Sequence, residues 1–495
     1  MLLGTLRSRV YHSIMSGALG RYLLILLLAA IPRALAEGLP DLGEVAQSDF
    51  SPLQERRLGE SIMREVRADR SFYEETEATD YINNLGDRLT SYSTESRQNF
   101  DFFLMRDNQI NAFALPGGFV GVHTGLILNA QSESEVASVL AHEIAHVTQR
   151  HIARMIAQQK QSQIASIAAL AVAILAARAS SQAAQAAFAF GQAGAIQSQL
   201  NFTRDNEREA DRVGLQLLER SGFDPRAMTT FFERLQRATR IYEGGAPSYL
   251  RTHPLTFERI ADVQNRVESL PYRQVPDSLE FQLIRAKLRA ELDAPRDALA
   301  FFRESLAERR FLSEAASRYG LALSLLRTGD HAGARKELAA LRKSVPANPI
   351  VESLGCRVQF ASGDAKSAFA CYQDALRTFP NYRALTHDYA DALLATGQAA
   401  TALRLVESRL QVQTEDHKLY LFQARAYAML NKRLAQHRAQ GEAYARMGNI
   451  TGAVEQMQIA LKSGDGDFYT TSSTEARLRE LRRLNDELRR EAGKR

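Results

Sequence analysis

Two histidines and a glutamate open the functional reading: His142-Glu143-Ile144-Ala145-His146, the pattern HExxH. The run ahead of it, Ser132 to Ala141 (SESEVASVLA), has apolar residues at helical spacing. On a helix, residues four apart share a face, about 6 Å apart along the axis. His142 and His146 can therefore grip one metal ion from the same side, with Glu143 beside it to act on a water. Neutral imidazoles suit zinc, and a catalytic zinc takes three protein ligands and leaves a fourth position open. That arrangement predicts one Zn²⁺ per chain and hydrolysis of a peptide bond. The alternative is a surface helix that carries two histidines by chance.

A third ligand has to come from elsewhere. Asn201 to Arg220 (NFTRDNEREADRVGLQLLER) reads as a helix, with Val213, Leu217 and Leu218 as its apolar stripe and Gly222-Phe223-Asp224-Pro225 as its end. Glu207 and Asp211 are four apart and share a face, which suits a His, His, Glu site. Asp205 and Glu209 are rivals, although Glu209 points away from the Glu207/Asp211 face. His151 competes less well: it lies five residues after His146, off the ligand face, and reads as structural or exposed. The HExxHxxGxxH pattern fails because Gln149 and Ile152 stand where it needs glycine and histidine. His253, in Arg251-Thr252-His253-Pro254-Leu255, is a lone histidine before a proline. The bare sequence favours a capping or surface role over a further imidazole near the metal.

The elements that must hold these residues follow. Residues 37–55 are polar and read as an irregular arm. From Leu58 to about Tyr92 the spacing is helical. Phe100 to Met105 and Ala112 to Val122 read as strands around a Pro116-Gly117-Gly118 turn. Such strands serve either as scaffold or as an edge for an extended substrate. Ile164 to Ala177 is apolar for 14 residues, short of the roughly 20 needed to span a bilayer. With the Ala- and Gln-rich stretch to Gln199 it reads as a helical hairpin over the domain or the active site. At most it makes peripheral contact with a membrane surface.

Beyond about Asp277 a period of 34 residues appears. Gly329, Gly363 and Gly397 are 34 apart, and Asn431 falls 34 further on. Ala334, Ala368 and Ala402 each follow their glycine by five residues, and Ala322, Cys356, Ala390 and Ala424 hold small side chains seven before. That is the tetratricopeptide signature, four or so units over 277–462, with Ala298 marking a divergent first unit. Stacked helix pairs make a surface for peptides or partner proteins. Glu475 to Arg495 reads as a charged, solvated helix. Cys356 and Cys371 fall on the two helices of one repeat, so they either pair or remain two buried thiols.

The net charge of +5 comes mostly from the first 36 residues, which hold Arg7, Arg9, Arg21 and Arg33 and no acid. Without them 58 basic residues face 57 acidic ones, and nothing points to nucleic acid. Those residues read as a signal peptide: a basic start, the apolar run Tyr22 to Ile31, and Ala34-Leu35-Ala36 as the cleavage site. The expected layout is a signal peptide over 1–36, a peptidase domain over 37–270, repeats over 277–465 and a charged tail over 466–495. The expected fold is mostly α, an α+β zincin-like peptidase domain with a small sheet followed by an α-solenoid.

The segments INAFALPGG (110–118), HEIAH with VTQRH, EREAD (207–211) and THP (252–254) together resemble the gluzincin metallopeptidases of the HtpX and CAAX-protease type. The resemblance covers roughly residues 45–460. It implies His142, His146 and Glu207 as zinc ligands and Glu143 as the catalytic glutamate. Asp211 is implied as a proton donor or as the residue that orients a zinc histidine, and His253 as a histidine that restrains activity at the zinc. With a signal peptide ahead and repeats behind, it implies a periplasmic protein in quality control of outer-membrane β-barrel proteins. The partners implied are misassembled barrel proteins and the β-barrel assembly machinery. The alternative is a chaperone or docking module whose protease is latent. The Ala-rich 164–199 segment departs from the family pattern, so the covering of the site stays open.

Overall fold

The computed structural model describes residues 50–93, 98–158, 204–241 and 248–492. The expected signal peptide, the residues 37–49 and the Ala-rich 164–199 segment lie outside them. Helix α1 (Pro52–Ala68) starts earlier than the apolar spacing indicated. Proline at the first helical position loses no bond, since the first amides of a helix have no partner within it. Strand β1 (Phe72–Tyr73), α2 (Thr76–Thr90), β2 (Asp101–Met105), β3 (Ala112–Leu115) and β4 (Phe119–His123) follow. The sheet has the order β1-β2-β4-β3. β3 and β4 form the antiparallel hairpin expected around Gly117 and Gly118, while β2 runs parallel to β4. Both turn glycines have positive φ, +78° and +89°, which suits residues without a Cβ.

Beyond the short α3 (Thr124–Asn129) comes α4 (Glu133–Thr148), the helix on which the domain is built. Ser132 caps it by accepting from the Glu135 amide at 3.2 Å. Every residue of α4 is buried, so the helix is covered on all sides. β3, α2, α6 (Arg204–Arg220) and α7 (Arg226–Ile241) pack around it, and α5 (His151–Gln158) continues the chain from its end. The apolar face of α6 differs in one position from the sequence reading. Val213 is only half-buried, and Leu215 joins Leu217 and Leu218 inside. Gly214 lies close against α4, since a Cβ there would stand 3.1 Å from the Ala141 backbone and from the His142 nitrogen. Short α8 (Ser248–Thr252) and α9 (Phe257–Glu268) close the peptidase half.

The helical repeats follow as pairs: α10 (Leu279–Leu292) with α11 (Pro295–Ala307), α12 (Glu314–Arg327) with α13 (His331–Ser344), and α14 (Pro349–Ala361) with α15 (Ala365–Thr378). Then come α16 (Arg383–Ala395) with α17 (Ala399–Leu410), α18 (His417–Met429) with α19 (Arg433–Arg446), and α20 (Ile450–Lys462) with α21 (Phe468–Ala492). Six pairs therefore stand where the period suggested four or so. The first pair holds Ala298, the divergent unit that the period already marked, and the last escaped the count because its connecting glycine, Gly464, falls 33 and not 34 residues after Asn431. Gly329, Gly363, Gly397 and Asn431 all take left-handed backbone between the two helices of a pair, with φ of +84°, +85°, +78° and +57°. The period in the sequence is thus the period of one turn conformation. Cys356 and Cys371 form a disulfide across the third pair. The expected solvated tail is instead a packed helix, because Leu478 and Leu481 of α21 are buried against Val454 and Met457.

The peptidase half and the repeats share one apolar core, which runs from Tyr81 and Leu140 through Phe281 and Ile284 to Leu338 and Ile350. Around it lies an ionic seam. The acidic start of α2 meets the first helices of several pairs. Buried Lys287 reaches Glu75 at 2.6 Å and Glu77 at 2.5 Å. Tyr382 donates to Glu77 at 3.1 Å, Lys418 donates to the Thr76 hydroxyl at 3.1 Å, and Arg383 pairs with Asp80.

Candidate metal centre

His142 and His146 lie one turn apart on α4, and their Nε2 atoms converge to 3.0 Å. From α6, Glu207 brings Oε2 within 3.4 Å of His142 Nε2 and Oε1 within 3.4 Å of His146 Nε2. His253, just past α8, brings Nδ1 to 3.0 Å from Glu207 Oε1 and 3.4 Å from His142 Nε2. One ligand atom from each of these four buried residues lies within 4.8 Å of all the others. Here the bare-sequence preference for His253 is overturned. It is a buried member of the cluster, held between the stacked ring of Tyr249 at 4.9 Å and the carboxylates. A lone histidine before a proline cannot reveal that its loop folds over a helix 100 residues upstream.

The donor set fits a metal. Burial and the neighbouring imidazoles hold His146 well below its ordinary value despite Glu207, in the neutral form that a metal needs. Burial works against a charge on His142 too, but its hydrogen bonds with Asp211 and Glu207 outweigh that and push it up to about 9. A divalent cation competes with that proton for the same carboxylates. Both oxygens of Glu143 are buried without a hydrogen-bond partner, which is unusual for a carboxylate unless a water, substrate or ion completes it. His253 Nε2 stands 3.4 Å from Glu143 Oε1.

Around this cluster the ring positions are fixed from behind. Asp211 Oδ1 lies 3.0 Å from His142 Nδ1, on the side of the ring away from the other histidines. Burial opposes the charge on Asp211, but Arg259 and His142 together overcome it and hold the carboxyl below its usual range. Arg259 grips Asp211 with two bonds of 2.7 and 2.8 Å. It also reaches Glu207 Oε2 at 2.8 Å and the Pro254 carbonyl at 2.7 Å. Nothing singled out Arg259 in the sequence. The available signal was a charge on the buried face of α9, beside Ile260 and in register with Val263 and Val267.

The rival acids do not reach the cluster. Asp205 pairs with Arg208 at the surface, and Glu209 faces the other way, onto His151 and Arg154. His151 is buried, not exposed, and its Nδ1 is 2.9 Å from Nδ1 of His146. Burial pushes it down to about 4 despite Glu209. No helix among the described residues is long and apolar enough to cross a membrane.

Comparison with known proteins agrees with this geometry. The model of peptidase family M48 matches residues 76–267, and a tetratricopeptide-repeat model matches 359–426. The chain is 35% identical to the beta-barrel assembly-enhancing protease of Escherichia coli over 454 residues, which is 91% of this chain and 92% of the relative. It is 36% identical to the putative beta-barrel assembly-enhancing protease of Vibrio cholerae over 438 residues, 88% of each. It is also 33% identical to the mitochondrial metalloendopeptidase OMA1 of Schizosaccharomyces pombe over 231 residues, 46% of this chain and 64% of the relative. With a buried His/Glu cluster at its HExxH helix, tetratricopeptide repeats behind it, and this identity along nine-tenths of its length to relatives of named activity, the chain belongs to peptidase family M48 as a metalloprotease of the beta-barrel assembly-enhancing type.

Proposed function

We propose that this chain is a periplasmic zinc endopeptidase that promotes assembly of outer-membrane β-barrel proteins and degrades misfolded or stalled ones. The observation that carries the reading is the convergence of His142, His146 and Glu207, with the buried Glu143 carboxylate, which accepts no hydrogen bond, beside them. Three nitrogen and oxygen ligands of this kind suit zinc better than the oxygen-seeking magnesium or calcium. Zinc supplies Lewis acidity there, polarising the scissile carbonyl and bringing the pKa of water down to about 7. His142 and His146 hold the ion from one helix, and Glu207 holds it from α6. Glu143 takes a proton from the attacking water on a carboxylate oxygen and returns it to the leaving amine nitrogen. Asp211 keeps the His142 ring aimed. β3 is one of the two edge strands of the described sheet and is the one that lies against α4, so an extended substrate pairs there as one more strand.

His253 fills the side of the cluster that faces Glu143. In this arrangement it restrains the site, and substrate gains access when its loop moves. The same observation favours a second reading, in which the repeats act as a chaperone or docking module for the barrel assembly machinery while the protease stays latent. The two readings separate in cells that lack the protein and fail to assemble barrels. Rescue by Glu143→Gln at wild-type level supports the docking role; loss of rescue supports proteolysis. Metal analysis tests the ligand set. Purified wild type is expected to hold about one zinc per chain, and Glu207→Ala to lose it. A full complement of zinc in Glu207→Ala moves the third ligand elsewhere.

A further inference from the structure

His151 is fully buried, and the chemistry above makes no use of it. Had α4 continued, a residue five after His146 would lie off the metal face. Instead the helix ends at Thr148, and Arg150 takes φ of +52°. A bulky residue rarely adopts this left-handed backbone, which persists only where the surroundings hold it. They do so here: the Arg150 amide donates to the Val147 carbonyl at 2.9 Å, and its guanidinium meets buried Glu55 at 3.4 Å. The turn starts α5 at His151 with its ring brought back against His146. Nδ1 of one ring is then 2.9 Å from Nδ1 of the other. Nε2 of His151 is 3.0 Å from Glu209 Oε2, an oxygen that also accepts from Arg154 at 2.6 Å.

The protons in this chain have one consistent arrangement. The nitrogen that His146 turns to the cluster is Nε2, so a metal there leaves the ring proton on Nδ1. Nδ1–H of His146 donates to Nδ1 of His151, which must carry a lone pair. The His151 proton is then on Nε2 and is donated to Glu209. We propose that His151, Glu209 and Arg154 form a hydrogen-bonded relay that fixes the tautomer and ring plane of His146. His151 is thereby a positioning residue for the metal, as Asp211 with Arg259 is for His142. The proposal rests on the reading of His146 as a zinc ligand. The two supports differ in strength. Asp211 is 1% exposed and acts directly, whereas Glu209 is 38% exposed and acts through an added imidazole. Solvent screens the outer end of the relay, so its inner member carries most of the effect.

The test is the rate at which the zinc-loaded, full-length mature chain releases zinc to excess chelator. His151→Leu fills a similar volume without an acceptor. His151→Asn places its amide oxygen close to where Nδ1 stood. Loss of such an outer partner typically weakens metal binding about 10–100-fold. His151→Leu is therefore expected to release zinc about 10–100-fold faster than wild type, His151→Asn to stay within about threefold, and Glu209→Ala to fall between. In chains labelled with ¹⁵N-histidine, the Nδ1–H proton signal of His146 should weaken or shift in His151→Leu and return in His151→Asn. Wild-type release by His151→Leu overturns the proposal. So does equal loss in the Leu and Asn variants, which leaves His151 only a packing role. Should His151→Leu not fold, surface Glu209→Ala decides: release and Nδ1–H signal both as in wild type count against the relay. Failure of the ligand reading looks different, because zinc is then absent from wild type or retained by His146→Ala.

Discussion

At the scale of single residues, the candidate site is built from pairs in which one side chain faces the cluster and another packs behind it. Asp211 Oδ1 stands 3.0 Å from Nδ1 of His142 and is itself clamped by Arg259, so its place is behind the ring. From this placement we propose that Asp211 orients the ring rather than donating a proton, one of the two roles that the resemblance implied. Asp211→Asn keeps the shape and an acceptor but loses the charge that faces Arg259. It is expected to weaken zinc binding about 10–100-fold in a chelator competition. Once saturated with zinc it should still cleave; loss of cleavage at full zinc occupancy would make Asp211 a proton donor. The convergence of His142, His146 and Glu207 was legible in the sequence because HExxH and ExxxD are local patterns on helices. Arg259 and the burial of His253 and His151 were not legible. Each depends on a loop or helix folding back from a distant part of the chain, and no local spacing encodes that.

At the scale of elements, α4 and α6 must lie close enough for Glu207 to meet two histidines on another helix. Gly214 permits this, since a side chain there has backbone of Ala141 and His142 at 3.1 Å to contend with. Backbone inside a fully buried helix cannot move aside. Gly214→Val is expected to push the helices apart, lower stability by about 1–3 kcal/mol and weaken zinc binding although it touches no ligand. Unchanged zinc affinity in a folded Gly214→Val would show that the site tolerates the separation. The sequence showed the helix but not this contact, because a glycine within a helical pattern has several explanations. The repeat turns were the opposite case. Only glycine and, less often, asparagine tolerate their backbone, so Gly329, Gly363, Gly397 and Asn431 marked the period directly. The last pair went uncounted because its left-handed glycine, Gly464, is one residue out of phase.

At the scale of the whole molecule, the repeats and the peptidase half share one core and a buried ionic seam. Asp416 is a member of it, bonded to His387 and Arg383 at 2.9 Å each. Burial pulls its carboxyl up, but those two partners outweigh burial and hold it below the usual carboxylate range. A carboxyl depressed in the folded state stabilises the fold fully above its unfolded pKa of about 3.9 and loses that contribution as the pH falls below it. Asp416→Asn retains an oxygen to cap α18 but no charge. Thermal unfolding should place it about 2 kcal/mol below wild type at pH 7, with the gap closing below about pH 4. A gap that stays constant down to pH 3 contradicts the assignment. Charge balance and repeat period in the sequence could not foretell that the acidic stretch Glu74–Asp80 meets the repeats, since that follows only from the assembled fold.

The central claim is that the cluster on α4 and α6 is a working zinc peptidase site with Glu143 as its base. Its most direct test is cleavage of an unfolded protein by the mature chain, wild type against Glu143→Gln, at equal measured zinc content. The account predicts cleavage by wild type and a loss of at least about 100-fold in Glu143→Gln, the usual worth of a positioned general base. Cleavage by Glu143→Gln at the wild-type rate, with zinc bound in both, would contradict it.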